Sequence, residues 1–199
     1  MTNATIPAES LPAVRSALFR WEVPDRPCSV YLSLDVIDRM ERETLEAFKA
    51  ITRKGSEIGG VLLGRTATAG KRIITIEEYE AVECDYSRGP LYILADPDRK
   101  RIEQAITRLK GGGEGAGIVG FFRSNTRRDI ALDDDDLAVM KDYFADPANL
   151  CMLVKPFAMK PSTAAFFFWE GGQIKGDECH LPFAFKRSEL EKQFAHLII

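Results

Sequence analysis

Apolar residues recur along this chain with two periods, and the switches between them lay out its elements. Cys28-Ser-Val-Tyr-Leu-Ser-Leu alternates small or polar with apolar positions and predicts a strand, with Ser33 or Asp35 placed to cap the next helix. Val36, Ile37, Met40, Phe48 and Ile51 then return at near-helical spacing among charges, which predicts an amphipathic helix of about four turns ended by Gly55. Glu57-Ile-Gly-Gly-Val-Leu-Leu-Gly is an apolar strand headed by one acid. Residues 72–84 alternate over most of their length, and the two strands should form an antiparallel hairpin joined by residues 66–71.

Beyond Asp96-Pro97, a cap followed by a helix-compatible proline, the spacing of Ile102, Ala105, Ile106 and Leu109 predicts a second helix that stops at Gly111. Ile118-Val-Gly-Phe-Phe is a short apolar strand running into a polar turn. Four aspartates, residues 133–136, open a third helix marked by Leu137, Met140 and Phe144 and ended by Asp146-Pro147. Residues 151–155 and 163–170 read as strands, with a hairpin return at 173–175 after Gly171-Gly172, and the tail from Arg187 reads as a last amphipathic helix. The pattern divides the chain into an N-terminal arm (1–27), a domain (28–176) and a C-terminal extension with a helix (177–199). Helices among mainly antiparallel strands give an α+β or three-layer α/β/α class.

Composition narrows the function more than the fold. The 199 residues are 45% hydrophobic, enough for one ordinary core, and the net charge of -3 gives no general reason to expect nucleic acid or an anionic membrane as partner. Cys28, Cys84, Cys151 and Cys179 are scattered without metal-binding spacing, so they read as reduced structural thiols. No apolar run is long enough to span a bilayer, and the N-terminus lacks a basic start and apolar stretch. A cytoplasmic protein is expected, with no nucleic acid, membrane or cofactor.

The acid-headed EIGGVLLGR, the helix after Asp96-Pro97, the strand-turn IVGFFRSN and the helix opening at the aspartates together resemble the JAMM/MPN family over roughly residues 29–176. The resemblance implies the family's cytidine-deaminase-like three-layer fold, with a mixed, mainly antiparallel sheet flanked by helices. In its metalloprotease members a Glu serves as general base on zinc-bound water, two histidines and an Asp bind the zinc, and a Ser stabilises the oxyanion. On this frame Glu57 matches the base and Asp136 the acidic ligand, while Arg123 and Asn125 stand where the histidines belong, Thr126 replaces a proline and Asp133 the serine.

Those substitutions change the chemistry. Arginine offers N–H donors, no lone pair and a permanent charge, so Arg123 is no zinc ligand, and no metal is assigned. A guanidinium can instead bridge carboxylates, so an Arg123–Asp136 or Arg123–Glu57 pair is expected in the place of the ion. The resemblance then implies a catalytically inactive module that binds or supports a protein, with a ubiquitin-like fold or another MPN domain as partner and a homodimer as one form.

Other readings stay open. Residues 133–136 serve a helix N-terminus without further chemistry. Alternatively, Glu57, Asp129, Asp133, Asp136 and the Asn125 carbonyl make an oxygen-rich site for a hard cation, with Glu57 still a base. A third candidate is an anion site on the turn, built from Arg123, Ser124, Asn125, Thr126, Arg127 and Arg128. Ser124 and Cys151 lack an activating base and read as structural. The run Phe166-Phe-Phe-Trp169 puts aromatics on both faces of one strand, to be covered by a helix, by the N-terminal arm or by a second subunit.

Overall fold

A computed structural model describes residues 17–23, 28–50, 55–87, 89–111, 116–127, 129–177 and 179–195. Among these residues, nine strands and four helices follow the order β1 (Leu18–Glu22), β2 (Cys28–Ser33), α1 (Leu34–Lys49), β3 (Gly59–Ala69), β4 (Lys71–Ala81), α2 (Asp96–Lys110), β5 (Gly117–Ser124), α3 (Asp134–Tyr143), β6 (Leu150–Lys155), β7 (Thr163–Glu170), β8 (Gln173–Ile174), β9 (His180–Ala184) and α4 (Arg187–Ala195). This is a mixed α+β fold on one mainly antiparallel sheet, ordered β1-β2-β4-β3-β5-β6-β7-β8, with β9 also paired to β7. Only β2–β4 and β5–β6 run parallel among the described pairs.

Apolar side chains pack on both faces of the sheet. Val36, Ile37 and Met40 of α1 and Leu190 of α4 join Leu32, Leu62, Phe122 and Phe166 in one core. On the other face Ile102, Ala105 and Ile106 of α2 and Val139 and Met140 of α3 cover Val61, Phe121, Leu153 and Phe167. The strand period of two explains this division, because Phe121 and Phe122, neighbours in sequence, necessarily face opposite cores.

Within the segment expected to be an arm (1–27), Leu18–Glu22 form a strand, while residues 1–16 and 24–27 lie outside those described. β1 pairs antiparallel to β2 over its full length, and its alternation buries Phe19 and Trp21 in the first core. Trp21 meets Phe166 edge to face at 5.2 Å and the tilted Phe168 ring at 5.6 Å, and donates its indole N–H to the Leu181 carbonyl at 2.9 Å. Because β1 and β7 lie far apart in the strand order, these contacts require the sheet to curl. The aromatic run on β7 is therefore covered within one chain. Phe166 and Phe168 meet β1, while Phe167 and Trp169 meet the α2–α3 side, where the Trp169 N–H bonds the Phe144 carbonyl at 2.9 Å.

Several boundaries shift from the expected ones for local reasons. The predicted 66–71 loop is mostly strand, since Ala69 pairs with Lys71 around Gly70, whose φ of 74° suits a residue without Cβ. α1 stops at Lys49, before residues 51–54, which lie outside those described, and Ser33 occupies its N-cap position without a side-chain cap bond. α2 starts with Asp96 inside its first turn, and Asp98 does the capping by accepting from the Ala95 N–H at 3.1 Å. α3 ends at Tyr143, ahead of Asp146-Pro147. The C-terminal extension adds β9 beside β7.

Two register shifts centre on the middle of β3, against β4 and against β5. Backbones approach closely there. A Cβ on Gly64 would lie 1.7 Å from the Thr75 carbonyl oxygen, and one on Gly120 would lie 1.9 Å from that of Leu150. The bulges bend the strands. β3 starts where β5, β6, β4 and β2 end, so one end of the sheet gathers Glu57, the turn after Ser124 and the loop after Lys155.

Candidate functional site: an arginine held by three carboxylates

Arg123 sits near the C-terminal end of β5, opposite Gly59 at the start of β3, and is 2% exposed. Its Nε donates to Asp136 Oδ1 at 2.7 Å and its Nη2 to Asp136 Oδ2 at 2.6 Å, a two-pronged grip on one carboxylate. Nη1 donates to Glu57 Oε2 at 2.7 Å, and Nη2 also reaches Asp133 Oδ2 at 3.3 Å. One guanidinium thus ties together the segment before β3, the end of β5 and the start of α3.

Each carboxylate is fixed from behind. Glu57, fully buried, accepts at Oε1 from the Thr126 N–H at 2.8 Å and the Thr126 hydroxyl at 3.0 Å, and at Oε2 from the Tyr92 N–H at 3.0 Å as well as from Arg123. Asp133 and Asp136 form a reciprocal capping box: Asp133 Oδ1 accepts from the Asp136 N–H and Asp136 Oδ2 from the Asp133 N–H, both at 3.0 Å. The aspartates therefore perform the helix-capping role and bind the arginine with the same two side chains. Arg127, at the rim, pairs with Asp133 Oδ2 at 2.9 Å.

Charge explains why a buried arginine is tolerated. Burial alone would weaken its protonation, but Asp136 first, then Glu57 and Asp133, reverse that and hold it above its ordinary value. Burial raises the Asp136 carboxyl, and the guanidinium opposes that rise. Cys151, on β6 and within electrostatic reach of Asp136 and Arg123, is fully buried, and desolvation lifts its thiol well above the usual range. It is a structural thiol, as are the buried Cys28 and Cys84, both also raised chiefly by burial.

The remaining candidates turn inward. Ser124 accepts from the Ile58 N–H at 2.8 Å through its hydroxyl. Asn125 is 1% exposed; its Nδ2 donates to the Asp129 carbonyl at 3.1 Å and its Oδ1 accepts from the Arg127 N–H at 2.8 Å, closing the turn. An anion site on this turn would need these groups to face outward, whereas Arg123, Ser124 and Asn125 are engaged inside the protein. Arg128 lies outside the described residues.

These residues do not fit a zinc ion of the JAMM kind. Arg123 has no lone pair, its charge repels a cation, and its four bonds occupy the oxygens an ion would need. The hard-cation set fails on the same oxygens, and Asp129 stands exposed. A separate trio, Cys84, Asp85 and Asp98, lies close enough to suggest metal ligation. Both Asp98 oxygens are already engaged: Oδ1 by the Asp85 N–H and Arg101, Oδ2 by the Ala95 N–H.

Sequence reasoning missed Tyr92 and Thr126 as partners of Glu57. Tyr92 comes from an irregular segment with no motif of its own. Thr126 was visible as the residue in place of proline, and proline supplies neither the backbone N–H nor the hydroxyl that Glu57 uses.

No helix among the described residues is long and apolar enough to cross a membrane. No family model matches the chain, and no curated protein matches it. Among solved structures it is similar to the solution structure of protein DSY2949 from Desulfitobacterium hafniense, at 17% identity and a TM-score of 0.46, covering 74% of this chain and 88% of that one. It is also similar to the solution structure of a protein from Salinibacter ruber, at 15% identity and a TM-score of 0.44, covering 77% of this chain and 96% of that one.

Proposed function

We propose that this chain is a non-catalytic protein-binding domain built on a JAMM/MPN-like three-layer frame, in which Arg123 takes the position and the structural duty of a metal ion. The observation that carries the reading is the single buried guanidinium bonded to Glu57, Asp133 and Asp136, the positions that the resemblance assigns to base, oxyanion helper and ligand. A general base must reach a water or a substrate proton, and Glu57 is fully buried with both oxygens accepting hydrogen bonds from the protein. By analogy with the resembled family, the partner is a ubiquitin-like protein or another MPN domain, a second copy of this chain included.

The reading is tested by assaying cleavage of isopeptide-linked ubiquitin-like substrates with zinc, magnesium or calcium supplied. No turnover above a metal-only blank is expected, and Glu57→Gln should leave that blank unchanged. Metal-dependent turnover abolished by Glu57→Gln would replace this reading with a hydrolase using an oxygen-rich centre.

A further inference from the structure

The aspartates at the start of α3 divide between two surroundings. Asp133 and Asp136 turn inward to Arg123, whereas Asp134 is exposed and lines a groove of about 430 Å³ between α3 and the β7–β8 hairpin. Asp134, Ala138 and Lys141 recur at helical spacing, so one stripe of α3 forms one wall, with the half-buried Leu137 beside it. The other wall is the hairpin, where the half-buried Trp169 and Ile174 are a cross-strand pair. That wall is fixed in place: the Trp169 N–H is held by the Phe144 carbonyl at 2.9 Å, Gly171 and Gly172 close the turn at φ of 58° and 80°, and the Leu132 N–H bonds the Gly176 carbonyl at 2.9 Å just beyond it. Alanine at 138 leaves the middle of the groove open.

Charge differs along the groove. Asp134 and Lys141 lie seven residues apart on one helix face, about 10.5 Å along the axis. No hydrogen bond or ion pair engages either side chain among the described residues. Asp142, also on the groove, is already paired with Arg99 at 3.0 Å, so the Lys141 end is left positive and the Asp134 end negative.

We propose that this groove binds an extended peptide segment of a partner protein, with one apolar side chain seated between Ala138 and Trp169, a basic residue at Asp134 and an acidic residue at Lys141. The inference rests on reading the chain as a protein-binding domain and names the kind of segment it recognises. The spacing selects the occupant. A free amino acid carries both charges on one carbon and does not span the groove, whereas in an extended chain the residues two before and two after the apolar one share its face about 13 Å apart, within reach of long side chains. The volume is that of an ordinary ligand cleft, and an apolar anchor flanked by polar contacts is the usual anatomy of a hot spot. Opposite charges at the two ends fix the direction in which the segment lies, and an occupant of one sign, nucleic acid included, meets repulsion at one of them.

The test is selection of random displayed peptides on the full chain, with counter-selection on Ala138→Gln, which fills the middle of the groove. Peptides with an apolar residue between a basic and an acidic one, in one fixed order, should be enriched. A second chain, Asp134→Lys/Lys141→Glu, reverses the charges without touching the Arg123 cluster or either core, and a cooperative urea transition checks that it folds. It should enrich peptides of the reverse order. Synthetic peptides from the first selection should bind it roughly tenfold more weakly than they bind the original chain, and that gap should narrow as salt rises. No enrichment over the counter-selected pool, peptides of mixed charge order, or the same order selected by both chains would each overturn the proposal. Cleavage assays read the Arg123 cluster and peptide selection reads the groove, so failure of one is distinguishable from failure of the other.

Discussion

Arg123 and Arg187 each hold three carboxylates, one in the interior and the other at the surface. Arg123 is 2% exposed and bonded to Glu57, Asp133 and Asp136. Arg187, with a side chain 35% exposed, joins α4 to α1 by pairing with Asp35 at 3.1 Å, Asp38 at 2.9 Å and its own helix neighbour Glu191 at 2.9 Å. The formal charges are identical, yet the consequences differ. Water and salt can replace what Arg187 offers its partners, whereas the other cation described at the inner cluster, Arg127, sits at the rim and pairs with Asp133 rather than with Glu57 or Asp136. Similar sets of ion pairs therefore make a surface clamp in one place and an obligatory tie between elements in the other.

Burial does not make the inner cluster a net source of stability. Desolvating four charged groups is costly, and a well-packed apolar set of similar volume can do as well. What the cluster supplies is geometry: the two-pronged grip on Asp136 and the single bond to Glu57 fix where β5, α3 and the head of β3 meet. Its loss should be severe because it strands buried carboxylates.

The comparison can be broken at several points. Arg123→Met should cost about 3–5 kcal/mol in urea unfolding, because Glu57 and Asp136 lose their counter-charge. Adding Glu57→Gln and Asp136→Asn to that variant should recover part of the loss, whereas an unchanged midpoint would show that packing rather than charge was damaged. Asp133→Ala removes one cap bond and the longest contact to Arg123, so a loss of about 1 kcal/mol is expected by the same measurement. Thiol labelling sharpens the contrast further. In the native protein Cys179, the most accessible of the four cysteines, should react first, and Cys151 should become reactive in Arg123→Met, where loss of the tie lets the surrounding elements open, but not in Arg187→Met. Smallest of all, Arg187→Met should barely move the unfolding midpoint, and any change should fade in high salt.

The inner cluster was legible because the residues that resemble a JAMM/MPN frame include Glu57 and Asp136 and place Arg123 where that resemblance expects a histidine, which left Arg123 as the available counter-charge. The spacing of the apolar residues showed the four helices and most strands for the same physical reason: one buried face imposes one period. Leu18-Phe19-Arg20-Trp21-Glu22 also alternates, but flanking prolines and the short run hid it, and its burial depends on Phe166 and Phe183, far along the chain. β9 is irregular, with Leu181 at a φ of 39°, and depends on pairing with β7. The bulges beside Gly64 and Gly120 and the Tyr92 N–H on Glu57 are likewise products of long-range pairing that no local pattern encodes.

In the proposed reading an arginine stands where a metal ion would otherwise hold these elements together. Metal content tests it most directly: the purified chain is incubated with zinc, magnesium and calcium, desalted, and analysed by elemental methods. Retention below ~0.1 equivalent of every ion is predicted. Near-stoichiometric retention that disappears in Asp136→Ala would contradict it, because an ion would then share the carboxylates assigned to Arg123.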